Sequence, residues 1–239
     1  MKKAFVAITI AAAALPMLIG VAGLPRPGDP AAPARMHVAA RYIEAGTRET
    51  GAANRVTGVL LNYRGLDTFG EVMVIFAALA GVMAVLSPAM PGRREDAVPR
   101  LEAGVPFSPV VGFIIRLIAP FIAAFGAFVI FKGHDSPGGG FQGGVILGAL
   151  LMLLSLVLGR GVQRPLIPES LMRWLQAAAP LAFTAVGLSG LALTGALLGY
   201  PLETDRQGLR ELMMILLDLG IGIGTAVIIL GLFLRMRGD

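Results

Sequence analysis

Apolar stretches long enough to cross a membrane recur along this chain and alternate with short polar segments. A transmembrane helix needs about 20 largely apolar residues. The clearest stretches cover residues 4–24, 110–131, 145–159, 177–202 and 212–234. Together with the apolar second half of residues 54–86, they predict six transmembrane helices, or five if the first stretch is a cleaved signal. The expected fold class is therefore an all-α integral membrane protein.

The first apolar stretch fits two interpretations. Lys2 and Lys3 precede it and small residues end it, as in a secretory signal peptide. The same pattern fits a retained helix, which we favour, so that residues 1–24 form an N-terminal transmembrane helix or signal anchor. The prolines that follow are typical of an extended polar linker, which we place at residues 25–53.

Residues 54–86 change character halfway. From Val56 to Tyr63 the apolar side chains keep helical spacing while polar side chains occupy the other faces, which predicts an amphipathic helix. One continuous helix here would be roughly 50 Å long, well beyond the ~30 Å hydrocarbon core of a bilayer. We therefore expect a break near Gly65 to Gly70, followed by a transmembrane helix.

The polar connections suggest the remaining boundaries. We expect a membrane module at residues 54–92, an inner basic loop at 93–109 and a four-helix membrane domain at 110–239. Lysine and arginine are concentrated in the connections that a cytoplasmic N-terminus would place inside, although residues 25–66, assigned outside, carry six arginines. We therefore expect the N-terminus in the cytoplasm.

The composition supports a membrane protein. Hydrophobic residues make up 56% of the 239 residues and charged residues 15%, which leaves too little polar surface to cover a soluble globule. The net charge of +5 does not indicate a nucleic-acid partner, because most arginines flank apolar segments and no basic run is interleaved with aromatic residues. We expect contact with the lipid bilayer and no nucleic acid.

The residue types exclude several kinds of chemistry. The chain has no cysteine, which rules out disulfides, iron–sulfur clusters and thiolate zinc sites, and its two histidines are far apart. We therefore expect no metal and no cofactor. Since the sequence offers no soluble domain to house an active site, we do not expect an enzyme.

Ionisable side chains inside apolar spans are the candidates for function. Such a group costs roughly 2.5–3.5 kcal/mol at the centre of a membrane helix, so it usually faces a partner or a wet cavity. We expect an ion or proton path lined by Glu71, Asp67, His134, Arg116 and Asp218.

Each candidate also has a plainer interpretation. Glu71 follows Thr68 at the spacing of a capping box, in which the glutamate would only close the start of a helix. The long stem of Arg116 can extend to the inner interface. Asp218 can be reached by water from the outer side or pair with an arginine of this or another chain, and His134 can be a hydrogen-bonded loop residue.

The run GHDSPGGGFQGG, residues 133–144, lies between two apolar spans. It lacks the lysine and hydroxyl residue of a phosphate-binding loop, and it has more glycine than a plain turn needs. We interpret it as a helix break inside the membrane, where non-helical backbone is tolerated if it is buried in protein or lines a cavity. The residues assigned to the break are Gly133, His134, Pro137, Gly138, Gly139, Gly140, Phe141, Gly143 and Gly144.

Two segments resemble a known family. Residues 116–153, which contain GHDSPGGGFQGG, resemble the B-type subunit of the multisubunit Na+/H+ antiporter called Mrp, whose hallmark is a run close to GHxxPGGGFxGG. Residues 54–86, which contain YRGLDTFGE, resemble the E-type module of membrane-bound hydrogenases and the C-terminal part of the large A-type antiporter subunit. The chain thus resembles a B-type antiporter subunit fused to an E-type module.

The resemblance implies a membrane subunit of a monovalent cation/proton antiporter in the cell inner (plasma) membrane. It implies other membrane subunits as partners, Na+ and H+ as transported ions, and no nucleotide or metal cofactor. In that family the glutamate of the DTxGE run, here Glu71, belongs to the ion path, and the run from His134 to Phe141 belongs to the same region. The alternative is a structural or coupling subunit of a hydrogenase-related, complex-I-like or carbon-acquisition assembly.

Overall fold

All regular structure is helical in the computed structural model, which describes residues 2–85, 108–158, 167–201 and 204–237. The helices are α1 (Lys2–Ala22), α2 (Ala39–Glu44), α3 (Gly46–Thr50), α4 (Arg55–Gly58), α5 (Gly65–Val85), α6 (Pro109–Phe131), α7 (Gly140–Leu158), α8 (Glu169–Gln176), α9 (Ala178–Thr194) and α10 (Gln207–Arg237). Short π-helical turns cover Ala34–Val38 and Val59–Tyr63, and a 3₁₀ turn covers Thr204–Arg206. The predicted all-α fold is confirmed.

Six helical segments in the described residues are long and apolar enough to cross a membrane. They correspond to α1, α5, α6, α7, the continuous pair α8 and α9, and α10. The six predicted spans are therefore present, with bounds that differ from the prediction by several residues at some ends. The largest difference is in the span formed by α8 and α9, which covers Glu169–Thr194 and not residues 177–202.

The chain divides into two compact units, Met1–Ala45 and Gly46–Asp239. The first unit contains α1, whose 21 residues suit a membrane span, followed by the π-helical turn and α2. That α1 is retained and not cleaved stays a prediction. The predicted linker at residues 25–53 contains short helices in addition to its proline-rich start.

The second unit is built around α10. In its most apolar stretch, 67% of the residues are buried within the chain. In the corresponding stretches of α5, α6, α7 and the pair α8 and α9, 17–28% are buried. Helices α5, α6, α7, α8 and α9 all pack against it. Leu217 and Ile221 of α10 lie in the core beside Val72 of α5 and Phe183 of α9. This central helix fixes the positions of the others.

The helices around α10 keep large apolar side chains on their outer faces. Helix α6 is the clearest case, with Phe113, Phe121 and Phe125 all exposed. Exposed apolar side chains of this kind suit contact with lipid or with other membrane helices, which are as apolar as the side chains themselves.

The break in residues 54–86 lies at Arg64, next to the stretch from Gly65 to Gly70 near which it was expected. The π-helical turn Val59–Tyr63 widens the preceding helix, and Arg64, with φ −125° and ψ 33°, leaves the helical region. Helix α5 begins at the next residue. A break near these glycines is therefore observed.

The start of α5 at Gly65 places Glu71 inside this helix. Thr68 lies inside α5 and not at its start, and its Oγ1 donates to the carbonyl oxygen of Leu60 at 2.7 Å. The capping-box interpretation of Glu71 is therefore wrong, because Thr68 is not an N-cap residue. Asp67 and Glu71 both lie in the first two turns of α5.

Glycines allow α7 to approach α10 closely. A Cβ atom built on Gly144 would lie 2.7 Å from the carbonyl oxygen of Gly222, and one built on Gly148 would lie 3.2 Å from that of Ala226. Small residues four apart permit such backbone contact in membrane proteins. The glycines of α7 therefore serve packing within this chain.

Some predictions fall outside the described residues. The predicted basic loop at residues 93–109 lies outside the described residues except for its last two positions. Residues 159–166, in the connection after α7, also lie outside them. The boundaries of the predicted module at 54–92 and of the predicted domain at 110–239 stay predictions.

Candidate functional site

The first part of the glycine motif forms a turn between α6 and α7. Residues 132–139 are non-helical, and the amide of Gly139 donates to the carbonyl oxygen of Val129 at 3.2 Å. Gly138 and Gly139 have φ angles of 149° and 144°, which residues with a side chain rarely adopt. The helix break is therefore present where the motif predicted its start.

The second part of the motif is helical, in contrast to the prediction. Gly140, Phe141, Gly143 and Gly144 form the first turns of α7 and are not part of the break. The physical reason for glycine here is close packing, because a Cβ atom on Gly140 would lie 2.5 Å from the carbonyl oxygen of Asp218. The motif therefore combines a turn with a closely packed helix start.

Asp218 lies near the middle of α10 and meets this helix start. Its side chain is only 3% exposed, and its Oδ1 accepts a hydrogen bond from the amide of Gly140 at 2.8 Å. This amide is one of the free N–H groups that begin a helix, where negative charge is favourable. The second oxygen, Oδ2, is buried and has no hydrogen-bond partner in the described part of the chain.

The environment of Asp218 is closed within the chain. The carboxylate is buried, and it forms no ion pair with an arginine among the described residues; pairing with an arginine of another chain stays a prediction. A carboxylate that is buried in a membrane span with one backbone donor is unusual, because burial disfavours charge. Asp218 is therefore the described side chain that most needs a functional explanation.

His134 lies in the turn next to this carboxylate. Its side chain is 11% exposed, and its buried Nδ1 has no hydrogen-bond partner among the described residues. Its Nε2 lies 3.6 Å from Oδ1 of the exposed Asp135. The preceding residue, Gly133, faces Asp218, since a Cβ built there would lie 2.7 Å from Oδ2. His134 is thus close to one exposed and one buried carboxylate.

Asn54 holds the turn from outside the motif. Its Nδ2 donates to the carbonyl oxygens of Gly133 at 2.7 Å and Ser136 at 2.9 Å. Its backbone amide donates to the carbonyl oxygen of His134 at 3.0 Å. Its Oδ1 accepts from the amide of Val56 and so caps α4. One residue therefore connects the start of the 54–85 segment to three motif residues.

Two hydroxyl groups extend this connection. Thr57 Oγ1 donates to the carbonyl oxygen of Gly133 at 2.6 Å, and Tyr200 Oη donates to that of Leu61 at 2.9 Å. Burial raises the pKa of the Tyr200 phenol, and the nearby charge of Asp218 raises it further. Tyr200 is therefore a neutral hydrogen-bond donor at physiological pH.

An exposed ion pair lies on the turn between α6 and α7. Lys132 Nζ lies 3.0 Å from Oδ2 of Asp135, and both side chains are about half exposed. The hydrogen bond from Lys132, followed by the electrostatic effect of His134, lowers the pKa of Asp135 below its ordinary value. Asp135 is therefore ionised at physiological pH.

The other predicted path residues lie on exposed faces. Glu71 on α5 and Arg116 on α6 are exposed, and Asp67 pairs with Arg64 at the surface. The structure thus brings His134 and Asp218 together in one buried cluster, and it does not bring the other three into it.

Four polar residues of this region were missed by sequence reasoning: Asn54, Thr57, Tyr200 and Arg210. The N-cap signal of Asn54 was readable from its position before a helical pattern, but nothing in the sequence links it to residues some 80 positions away. Arg210, at the start of α10, is buried against Gly51, whose positive φ of 76° and missing side chain leave room for the guanidinium group.

The described residues contain no cluster of metal-binding side chains. No set of three or more histidine, cysteine, aspartate or glutamate side chains in this part of the chain could hold a metal ion. The expectation of no cofactor stays a prediction.

Two family models match the chain. Residues 110–233, more than half of the chain, match a domain related to the MnhB subunit of the Na+/H+ antiporter. Residues 30–101 match the E subunit of the MBH family. The two matches correspond to the two resemblances found in the sequence.

Individual proteins are similar over most of the chain. The probable A/B subunit of a K+/H+ antiporter from Rhizobium meliloti is 28% identical in an alignment of 230 residues that covers 81% of this chain and 22% of that protein. A chain of the membrane-bound sulfane sulfur reductase, an archaeal respiratory membrane complex, is 32% identical with a TM-score of 0.65, covering 99% of this chain and 98% of that one.

A chain of the Mrp complex from Dietzia sp. DQ12-45-1b has the same fold, with a TM-score of 0.62 and 23% identity over 98% of this chain and 26% of that one. The chain thus spans about a fifth of its Rhizobium relative and about a quarter of the Dietzia chain. Both solved structures are multisubunit membrane complexes.

Proposed function

Because this chain belongs to the family of domains related to the MnhB subunit of the Na+/H+ antiporter, we propose that it is a membrane subunit of a multisubunit monovalent cation/proton antiporter. In this proposal it supplies part of a hydrated ion path that partner membrane subunits complete. Na+ and H+ are the transported ions, and K+, named for the Rhizobium relative, is the alternative cation. The chain acts in transport and not as an enzyme.

The observation that carries the proposal is the buried contact between Asp218 and the motif turn. Helix α10 places a carboxyl group inside a membrane span, and the turn supplies a backbone donor and the imidazole of His134 beside it. Ionisable groups in such positions are costly and mark ion pathways in membrane proteins.

Partner subunits are proposed to cover the charged faces of α5 and α6. Glu71 and Arg116 are exposed on spans of this chain, and each would be unfavourable against lipid. Asp67 lies one turn before Glu71. The five proposed path residues thus divide into a buried pair, His134 and Asp218, and an exposed group that needs water or a neighbouring subunit.

We place the complex in the cell inner (plasma) membrane with the N-terminus in the cytoplasm. The positive residues in the connections support this orientation. An odd number of proposed spans then separates the N-terminus from the turn after α6, so the glycine turn lies toward the outer side.

The proposal is tested by removing the chain from its own complex. Everted membrane vesicles from cells that lack only this chain are energised, and the loss of the proton gradient on addition of Na+ or K+ is followed with a pH-sensitive dye. We expect exchange to disappear in the deletion strain and to return when the wild-type chain is supplied. Unchanged exchange in the deletion strain would contradict the proposal.

A second candidate function rests on one observation. The chain of the sulfane sulfur reductase complex matches this chain almost end to end, whereas the Rhizobium relative is much longer. The second candidate is therefore a coupling subunit of a respiratory complex. Purification of the native complex distinguishes the two functions, because only the respiratory complex would contain redox subunits with iron–sulfur clusters.

A further inference from the structure

We propose that Asp218 is the group through which this chain binds the transported proton, which is taken up on Oδ2 while Oδ1 keeps its hydrogen bond to the Gly140 amide. This inference deepens the proposed function, on which it rests, by assigning one of the two transported ions to one atom. Uptake forms one O–H bond and neutralises one carboxylate, and release reverses both changes.

The hydrogen-bond pattern of the carboxyl group supports a proton. Asp218 is 3% exposed, and the Gly140 amide at 2.8 Å is its hydrogen-bond donor. Oδ2 is buried without a partner in the described part of the chain. An unpaired carboxylate oxygen in an apolar interior is strongly unfavourable, whereas a protonated oxygen carries no charge there.

The close packing of backbone around Asp218 favours a proton over a metal cation. Cβ atoms built on Gly133 and Gly139 would lie 2.7 Å from Oδ2 and 3.4 Å from Oδ1, so backbone closes over the carboxyl group. The carbonyl oxygen of Gly133 already accepts from Thr57, and that of Val129 already accepts from Gly139. A bare monovalent cation needs several free oxygen ligands, whereas a proton needs only one.

Few other titratable groups in the described residues face this site. His134 approaches from the motif turn and Tyr200 from the connection before α10, while Arg210 and Glu211 lie two turns earlier on α10 itself. Tyr200 is neutral and donates to Leu61. His134 is therefore the second ionisable side chain beside Asp218 in the described residues.

The test compares the purified wild-type complex with Asp218→Asn and with the control Glu211→Gln. Infrared difference spectra are recorded as the pH is raised, and binding of radioactive Na+ is measured on the same samples. Asparagine keeps an oxygen acceptor for the Gly140 amide but cannot take up the proton. We expect a protonated-carboxyl band that titrates in wild type and in Glu211→Gln and is absent in Asp218→Asn, with Na+ binding retained in all three.

Two outcomes would overturn the inference. A titrating band that persists in Asp218→Asn would place the proton on another group, and loss of Na+ binding in that variant would indicate a cation site. If the variant does not assemble, isotope labelling of aspartate side-chain carboxyls in the wild-type complex replaces it, and absence of a labelled protonated-carboxyl band overturns the inference. Because the band requires no transport, a complex that shows it without cation exchange would refute the proposed function alone.

Discussion

Asn54 shows how much of the site depends on single side chains far from it in sequence. Its two Nδ2 protons match the two motif carbonyls of Gly133 and Ser136, and its Oδ1 caps α4. Loss of Asn54 would remove one of the two donors to the Gly133 carbonyl, which Thr57 also contacts, and would take its donor from the part-buried Ser136 carbonyl. An acceptor left without a partner costs more than the hydrogen bond itself contributes.

We expect Asn54→Ala to lower the free energy of unfolding by about 2–4 kcal/mol, because it removes a helix cap and two donors to motif carbonyls. Thermal unfolding of the detergent-solubilised complex measures the change. Ser108→Ala is the matched control, since Ser108 caps α6 through the Val110 amide, and the loss of this cap costs about 1 kcal/mol. Equal effects of the two variants would contradict the role of Asn54 in holding the turn.

The exposed Glu71 belongs to a different prediction. If it lines the path against a partner subunit, Glu71→Gln removes the titratable group with almost no change in shape, and we expect cation/proton exchange in vesicles to fall at least about tenfold with normal assembly. Glu169→Gln, at the exposed start of α8, serves as the control and keeps full exchange. Full exchange in Glu71→Gln would remove Glu71 from the path.

At the scale of helices, the contact between α7 and α10 organises the second unit. Glycines of α7 lie against the backbone of α10, and this close approach carries the Gly140 amide to Asp218. Packing and site geometry therefore depend on the same small residues.

Gly144→Ala tests this contact. The added methyl group would lie 2.7 Å from the Gly222 carbonyl oxygen and 2.8 Å from Thr225 Cβ, so we expect overpacking to destabilise the complex by about 1–3 kcal/mol. Gly81→Ala in α5 is the control, because nothing lies within 4 Å of its new methyl group in the described residues. Its expected effect is neutral or slightly stabilising. The melting temperatures of the two variants are compared with that of the wild type. A similar melting temperature for both variants would contradict close packing at Gly144.

Hydrophobic patterning was sufficient for the helices but not for their interruptions. The span predicted at residues 110–131 is observed at Pro109–Phe131, because an uninterrupted apolar run has few alternatives in a membrane. The break was expected near Gly65 to Gly70 and lies at the adjacent Arg64, but nothing in the composition indicates the π-helical turn before it. Asp218 was identified as a candidate from its charge, whereas its partner, a backbone amide, has no sequence signature.

At the scale of the whole molecule, two family modules meet in one chain. Residues matching the MBH E-subunit model contribute Asn54 and Thr57, and residues matching the MnhB-related model contribute the motif turn and Asp218. The recognition of both modules from GHDSPGGGFQGG and YRGLDTFGE is confirmed by these matches. That Asn54 and Thr57 of one module hold the motif turn of the other required the structure.

The central claim is that this chain is needed for cation/proton exchange by a multisubunit complex. Its most direct test is to reconstitute the purified complex, with and without this chain, into liposomes that contain a pH-sensitive dye. We predict that an imposed Na+ or K+ gradient drives protons in the opposite direction only when the chain is present. Equal proton movement without the chain, or none in the complete complex under either gradient, would contradict the claim.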